Sequence, residues 1–319
     1  MRHVRAARTA PRERRPFQAL IAAAGLYLAL SLIFGAVFVD RALHRPRRAV
    51  SAADRARAEA LARAVDARLD DASVAAGDGA ILHGDLFTPA RFGGHSVVLL
   101  HGIVSNRASM LPTARLFLEH GYRVLAVDAR AHGESGGTLV TFGALERDDL
   151  ARWIASVRGL PGSCVYLFGG SQGGSYALQA SDAPGVCAVV SVSADASLRE
   201  IAFDRIGERL HTGPWIGRSL LRPGVELGFL YARMRYGVKL SDASALASVI
   251  GAGAPILAIH GTDDAITPVR HARLIAAANP ARVSLWLVRG GSHAPGGAEP
   301  VEFPRRMLAF FDEHRVPWQ

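Results

Sequence analysis

The sequence predicts an α/β fold in which a mostly parallel sheet lies between two layers of helices. Three observations support this prediction: short apolar runs alternate with helical segments, 33 glycines are available for tight turns, and half of the 319 residues are hydrophobic. Nearly continuous apolar runs are typical of strands buried on both faces of a parallel sheet, and their alternation with helices is typical of βαβ units. A chain of this length can form one large domain or two smaller ones.

Six short apolar runs carry the sheet prediction, because runs of this length bounded by turn residues favour buried strands over helices. They cover residues 95–100, 122–127, 164–168, 186–192, 255–259 and 283–288, with helical segments near 108–120, 145–158, 173–181, 269–279 and 301–315. Two earlier segments, 73–76 and 79–87, have the pattern of an antiparallel hairpin that leads into the sheet.

A long segment from about residue 195 to 253 interrupts this alternation, with amphipathic pieces but no strand pattern. An insertion between two strands at the carboxyl edge of a sheet is where a cap over an active site lies. The sequence therefore predicts a small helical cap here. Its large apolar side chains either line a substrate pocket or pack the cap itself; they are Phe203, Ile206, Trp215, Leu220, Leu221, Phe229, Leu230 and Met234.

The net charge of +9 is confined to the N-terminal segment. Arginines far outnumber acidic residues in the first 57 residues, whereas basic and acidic residues balance over the rest of the chain. A groove that binds nucleic acid needs its surplus of positive charge on the folded body. The charge distribution therefore argues against a nucleic-acid partner.

Residues 17–39 form an uninterrupted apolar segment without a charge, and roughly 20 such residues cross a bilayer core as a helix. We predict a basic tail over residues 1–16, a transmembrane anchor over 17–39 and a charged helical linker over 40–71. A cleaved signal peptide and a buried helix are the alternatives, although the apolar region of a signal peptide has only about 7–15 residues. Within about 15 residues of the segment, six arginines lie before it and four after it, which favours an exported domain over residues 72–319.

Two matches to the G-x-S-x-G pattern occur, in which a serine nucleophile occupies a sharp turn between a strand and a helix. Ser171 lies in the motif 169–174, directly after an apolar run and before a helical segment. Ser135 lies well beyond the nearest strand-like run and leads into a glycine-rich loop. Ser171 is therefore the predicted nucleophile, and Ser135 a predicted turn residue.

A serine hydroxyl needs a base to remove its proton, and that base needs a carboxylate to orient it. Downstream of Ser171, Asp263 and Asp264 follow the fifth apolar run, and His293 follows the sixth. Because ligands collect at the carboxyl ends of the strands in open α/β sheets, these side chains are expected to lie near Ser171.

These motifs, in the order serine, acid and histidine, resemble the serine α/β-hydrolase superfamily over about three quarters of the chain. The matching motifs are LLHG at 99–102, DARAHGES at 128–135, GGSQGG at 169–174, HGTDDAITP at 260–268 and GGSH at 290–293. The resemblance implies an α/β-hydrolase fold with an eight-stranded sheet and a triad of Ser171, His293 and an aspartate. In that family's H-G-x-x-D-x-x-x-P pattern the acid lies four positions after the histidine, which selects Asp264 over Asp263. Some members of the family place the acid after an earlier strand, which makes Asp195, after the fourth apolar run, a further candidate.

The resemblance also implies an oxyanion hole formed by the backbone N–H groups of Ile103 and Gln172. Together with the anchor, the chain resembles membrane-attached esterases and acyl-protein thioesterases. The expected reaction is therefore hydrolysis of a carboxylic ester or thioester, with a small-molecule or lipid-like acyl substrate. Lipase and peptidase or amidase activities stay open, because a fold does not settle function.

A non-catalytic binding protein on the same scaffold is an alternative of another class, although the retention of all three triad residues argues against it. A transporter subunit is disfavoured because the one apolar span contains no charged residue. The sequence has no cofactor signature. No metal site is predicted, because His101, His132 and His260 belong to separate motifs that the resemblance assigns to structural turns.

Cys164 and Cys187 are the two cysteines of the chain, and each lies near the start of a predicted strand. If these strands are neighbours, the two sulfur atoms lie at similar depth and can form a disulfide, which is typical of exported proteins. Two buried reduced side chains are the alternative. The sequence leaves both open.

Overall fold

One sheet of eight strands forms the centre of the structure, a computed structural model that describes residues 14–159, 163–209, 211–212 and 214–315. The strands are β1 (Ala67–Ala75), β2 (Ile81–Pro89), β3 (Ser96–Leu100), β4 (Arg123–Val127), β5 (Val165–Gly170), β6 (Val186–Val192), β7 (Ile256–Gly261) and β8 (Val283–Val288). Their order is β1-β2-β4-β3-β5-β6-β7-β8, and β2 alone among them runs antiparallel to its neighbours. The predicted mostly parallel eight-stranded sheet is confirmed.

Helices cover both faces of this sheet. The α-helices are α1 (Arg14–Leu43), α2 (Ala52–Ala64), α3 (Leu111–Glu119), α4 (Glu146–Val157), α5 (Gln172–Gln179), α6 (Leu198–Arg209), α7 (Pro214–Arg218), α8 (Arg222–Tyr236), α9 (Ala245–Ile250), α10 (Arg270–Ala278) and α11 (Glu302–Glu313). On one face Val98 of β3 belongs to the same core as Trp153 of α4, and on the other Val97 shares a core with Phe117 of α3. Burial on both faces explains why the central strands have continuous apolar sequences.

The predicted hairpin is present, but its first strand begins earlier than the sequence indicates. β1 pairs antiparallel with β2 over its whole length, from Ala67 opposite Pro89 to Ala75 opposite Ile81. The prediction of a helical linker over residues 40–71 is therefore wrong at its C-terminal end. Helix α2 has a capping box between Ser51 and Asp54, ends at Ala64, and is followed by β1 at the sheet edge.

The insertion between β6 and β7 is helical, as predicted, and α6, α7 and α8 form the cap. Its predicted C-terminal boundary at residue 253 is wrong, because α9 packs against α5 of the main domain. Ala245 and Val249 of α9 lie in the same core as the helices that cover the sheet. The cap therefore ends before α9.

The apolar segment predicted over residues 17–39 lies within α1, which is long and apolar enough to cross a membrane. A signal sequence meets the same criterion, so the helix alone leaves the membrane location a prediction. Residues 1–13 of the predicted basic tail lie outside the described residues. The end of α1 contacts the folded domain, since Leu43 is fully buried and its carbonyl accepts a hydrogen bond from the Val140 amide at 2.9 Å.

Cys164 and Cys187 form a disulfide between the neighbouring strands β5 and β6, with 5.5 Å between their Cα atoms. The alternative of two reduced side chains is therefore wrong in this structure. The bond joins the strand that leads to Ser171 to the next strand of the sheet, at the end opposite the serine.

Candidate active site

Ser171 occupies the sharp turn between β5 and α5, with a backbone φ of 55° and ψ of −122°. A positive φ is uncommon outside glycine, and such strain persists where the surrounding structure holds it. Here the Ser171 amide donates a hydrogen bond to the carbonyl of Val192 at 2.8 Å. The turn presents the Ser171 hydroxyl at the carboxyl edge of the sheet.

The glycines of this motif permit close contact between backbones. A Cβ atom at Gly173 would lie 2.1 Å from the carbonyl oxygen of Leu100, and one at Gly169 would lie 2.1 Å from that of Gly173. Contacts this short with backbone atoms force the chain to move. Gly170 is different, because a Cβ atom there has no heavy atom within 4 Å.

We expect Gly173→Ala to lower the free energy of unfolding by about 3 kcal/mol or more, since the added methyl overlaps the end of β3. Gly170→Ala is the matched control, with an expected change of about 1 kcal/mol or less. Chemical denaturation of both variants measures the difference. Equal stability of the two would contradict the close approach of α5 to β3.

His293 connects Ser171 to Asp264 through two hydrogen bonds. Its Nε2 atom lies 2.8 Å from the Ser171 Oγ atom, and its Nδ1 atom lies 2.8 Å from Oδ2 of Asp264. A carboxylate accepts but does not donate, so Nδ1 carries the proton and Nε2 is free to accept the serine proton. Asp264 follows β7 and His293 follows β8, as the sequence predicts.

Asp264 is held as a buried carboxylate by several donors. Its Oδ1 atom accepts hydrogen bonds from the amides of Ile266 and Thr267, both at 2.8 Å, and the side chain of His260 lies 3.3 Å from Oδ2. Burial alone raises the pKa of this carboxyl, but the hydrogen bonds from His260, His293 and the Thr267 amide outweigh it. The pKa of Asp264 therefore lies well below its usual range.

The other candidates lie elsewhere. Asp263 is exposed and accepts a hydrogen bond from the Thr262 hydroxyl, and Asp195 accepts one from Ser175 at 2.7 Å. Ser135 is fully buried, and its hydroxyl donates to the carbonyl of Asp128 at 2.7 Å. The structure thus brings Asp264, and neither Asp263 nor Asp195, to His293, and places Ser135 in a structural turn.

The amides of Ile103 and Gln172 flank the nucleophile. Gln172 is the first residue of α5, and Ile103 follows Gly102, whose Cβ position lies 3.5 Å from the Ser171 Cβ atom. Among the described residues neither amide has a hydrogen-bond acceptor. Both are therefore available to a substrate oxygen, as an oxyanion hole requires.

A buried ion cluster, which sequence reasoning missed, supports the loop that carries Ile103. Arg107 is buried and contacts Asp85, Asp128 and Glu134, and its amide donates to Asp128 at 2.7 Å. The cluster ties the loop after β3 to the loop after β4. Asp128 and Glu134 belong to a motif of the family resemblance, whereas no local pattern distinguishes Arg107 from a surface arginine.

The three histidines assigned to turns have structural partners. His101 accepts a hydrogen bond from the Ala129 amide at 3.2 Å, His132 one from the Val104 amide at 3.3 Å, and His260 donates to the Thr267 carbonyl at 2.8 Å. Burial lowers the pKa of His101 to about 4, so it is neutral at physiological pH. Within the described ranges, no group of three potential ligands is arranged to hold a metal ion.

A cavity of about 600 Å³ opens at Ser171, Ile103 and Gln172. None of the eight apolar cap residues named from the sequence is among its lining residues. Phe203, Ile206 and Phe229 pack the cap core with Leu221 half-buried against them, and the others are exposed, namely Trp215, Leu220, Leu230 and Met234. The cap contributes one face of α6 to the cavity instead. The end of α1 also lines the cavity, which the sequence did not predict; its lining residues are Phe38, Ala42 and, just beyond the helix, Arg45.

The sheet order, the strained serine turn and the Ser171–His293–Asp264 arrangement are together those of an α/β hydrolase. Comparison with known proteins agrees, since a model of the alpha/beta hydrolase family matches residues 97–306. The chain belongs to that family.

Its relatives are distant. An uncharacterized protein of Bacillus subtilis (strain 168), YqkD, is 28% identical over 210 residues, which cover 63% of this chain and 65% of that protein. A Pyrococcus furiosus esterase, Pf2001, has a similar structure, with a TM-score of 0.65 and 22% identity over 86% of this chain and 99% of its own. A Pyrococcus horikoshii acylaminoacyl peptidase has a TM-score of 0.58 and 17% identity, over 79% of this chain and 42% of its own. At these identities the structural likeness shows the fold alone.

Proposed function

We propose that this hydrolase cleaves a carboxylic ester or thioester by acyl transfer to Ser171. The observation that carries the proposal is the hydrogen-bonded chain from the Ser171 hydroxyl through His293 to Asp264, with 2.8 Å at each step. This is the arrangement that activates a serine nucleophile in serine hydrolases.

The mechanism follows from the positions of the three side chains. Nε2 of His293 takes the Ser171 proton as Oγ attacks the substrate carbonyl carbon, and the carbonyl oxygen becomes an oxyanion bound by the amides of Ile103 and Gln172. The C–O or C–S bond to the leaving group then breaks, and His293 returns the proton to it. Water, deprotonated by His293, attacks the acyl-enzyme, and the acid leaves as Ser171 regains its proton.

We further propose that α1 holds the enzyme at a membrane with the catalytic domain exported. The surplus of arginines before the apolar segment and the disulfide both support this orientation. Four large apolar side chains of the cap are exposed by half or more, which suits contact with lipid; they are Trp215, Leu220, Leu230 and Met234. A lipid-like or acylated substrate is consistent with this location.

Labelling with a fluorophosphonate tests the proposal in the full chain purified in a neutral detergent. We expect the wild type and Ser135→Ala to be labelled and Ser171→Ala to be unlabelled, because Ser171 contacts the imidazole of His293 whereas the Ser135 hydroxyl donates to a backbone carbonyl. Thermal unfolding confirms that each variant is folded. A folded wild type that resists labelling would contradict the serine mechanism and favour a binding protein on this scaffold. Matched oxyester, thioester and anilide substrates then separate esterase and thioesterase from peptidase activity.

A further inference from the structure

The apolar helix α1 is packed against the cap rather than extending freely from the domain. A Cβ atom at Gly35 would lie 2.1 Å from the carbonyl oxygen of Gly224, and one at Gly228 would lie 2.8 Å from that of Gly35. The backbones of α1 and α8 are therefore in direct contact, as small residues permit between membrane helices. The Tyr27 hydroxyl also donates to the Leu220 carbonyl, and that of Tyr236 to Asp40.

This packing makes the end of α1 a wall of the catalytic cavity. Phe38 and Ala42, one turn apart on the same face of α1, line the cavity that contains Ser171. Leu198, Ile201 and Ala202 contribute apolar surface from α6. An apolar chain placed between these two helices lies beside the nucleophile and against the helix proposed to enter the membrane.

The same cavity is positively charged where α1 ends. Arg45, Arg205 and Arg209 all line it, and the last two lie on one face of α6, four positions apart. We call these three residues the arginine cluster. Arg45 and Arg209 are exposed and Arg205 is half-buried, so an entering ligand can reach all three.

The charges facing the cluster do not neutralise it. Glu208 pairs with Arg205 at 2.8 Å, and the Asp195 carboxyl also lines the cavity, but Arg45 and Arg209 form no ion pair among the described residues. Arg45 is exposed as a whole residue but lines the cavity, where partial desolvation of its guanidinium lowers its pKa, and the like charges of Arg209 and Arg205 lower it further. An anion bound there would relieve this repulsion and gain charge-assisted hydrogen bonds.

We propose, on the basis of the serine hydrolase activity above, that the cavity binds an amphiphile with an acyl ester, one long apolar chain and an anionic headgroup. The ester carbonyl lies at Ser171, the chain packs against Phe38 and Ala42, and the arginine cluster binds the headgroup. Hydrolysis breaks the bond between the carbonyl carbon and the alcohol oxygen, water supplies the hydroxyl of the acid, and the alcohol leaves with the anion. Because Arg45 follows the apolar helix directly, the cluster lies at the level of lipid headgroups.

The first test compares 1-oleoyl-lysophosphatidate with 1-oleoylglycerol, which share an acyl chain and differ in the phosphate. In the full chain in neutral detergent, we expect kcat/KM to be at least tenfold higher for the anionic ester. The double variant Arg205→Gln with Arg209→Gln should lose that preference through a rise in KM, while hydrolysis of the neutral ester stays within about twofold. Arg233→Gln, on the exposed side of α8, removes one positive charge outside the cavity and should retain the preference.

The outcomes separate this proposal from the one on which it depends. Full fluorophosphonate labelling with equal hydrolysis of both esters would overturn the headgroup site and leave the serine hydrolase intact. Absence of labelling would instead contradict the hydrolase itself. If the double variant kept the preference but lost binding to vesicles that contain phosphatidylglycerol, the arginines would serve the bilayer rather than the substrate, and the proposal would be wrong.

A second test probes the wall formed by α1. Ala42→Phe should lower kcat/KM for 1-oleoylglycerol at least tenfold and change that for an acetyl ester by about twofold or less, because the new ring occupies the path of the long chain. Ala24→Phe makes the same substitution at an exposed position of the same helix and should have no effect. Equal losses with the long and short esters would show that Ala42 supports the fold and does not contact the chain.

Discussion

His293→Ala should lower kcat for the best ester substrate by roughly 10⁴- to 10⁶-fold, the loss found when the base of a serine triad is removed. The imidazole is the group that connects the Ser171 hydroxyl to the Asp264 carboxylate, with 2.8 Å to each. Without it the serine keeps its proton, and the leaving group has no acid. KM should change much less, because the amides of Ile103 and Gln172 and the cavity remain. Steady-state kinetics of the full chain in detergent measure both quantities.

Two controls make this result specific. His120→Ala removes an exposed histidine at the end of α3 and should retain wild-type activity. Added imidazole should partly restore His293→Ala, because it can enter the vacated space and accept the serine proton, but it should not restore Ser171→Ala. Activity of His293→Ala within tenfold of wild type would show that another group is the base.

Much of the fold follows from the sequence because the central strands are buried on both faces. The predicted runs 95–100 and 122–127 correspond to β3 and β4, and each run begins one residue before its strand. The sequence predicts too short a β1, because β1 lies at the edge of the sheet. Its first half contains Arg68, Asp70 and Asp71 and is polar and partly exposed. A polar edge strand after a charged helix carries no apolar pattern by which to recognise it.

The boundary of the cap illustrates a different limit. The predicted cap extends to residue 253 because the sequence has no strand pattern up to that point, and the sequence does not state which surface a helix contacts. Ala245 and Val249 bury α9 against the main domain. Whether α9 belongs to the cap or to the main domain depends on long-range packing. The apolar pattern of a six-residue helix cannot specify that packing.

The chemistry of the site was predictable because each residue lies in a local motif at the end of a strand. Ser171, Asp264 and His293 meet as the sequence order suggests, although their catalytic roles stay predictions. That Phe38, Ala42 and Arg45 line the catalytic cavity could not be predicted from the sequence of the apolar segment alone. The spacing of Ser31, Gly35 and Val39 on α1 and of Gly224 and Gly228 on α8 is a signal that could have indicated their contact.

Asp264→Asn should lower kcat by about 10⁴-fold, the effect of the same substitution in other serine triads. The Ile266 and Thr267 amides both donate to Oδ1, so an asparagine keeps its carbonyl oxygen towards them and turns its NH₂ group to His293. Nδ1 must then accept rather than donate, and the proton moves to Nε2. In that tautomer His293 cannot accept the serine proton, although the side chains keep their places.

Asp264 stays charged over the whole pH range in which the activity of the wild type would be measured. Because the pKa of Asp264 is held well below its usual range, its charge contributes to stability at every pH above the ordinary aspartate value of about 4. That contribution is lost only as the pH falls from there towards the lowered pKa. Activity between pH 5 and 9 therefore does not titrate with Asp264, and the variant should be less stable than wild type throughout this range.

Asp263→Asn is the matched control, since it makes the same change at an exposed neighbour that contacts Thr262 rather than His293. Asp263→Asn should leave kcat unchanged. Asp195→Asn should reduce kcat by tenfold or less, because an asparagine at this position can still accept the hydrogen bond from Ser175. A loss of about 10⁴-fold in Asp195→Asn, with little change in Asp264→Asn, would reverse the assignment of the acid. His293 would then work with the carboxylate that follows β6 instead of the one that follows β7, and its hydrogen bonds would have to rearrange when substrate binds.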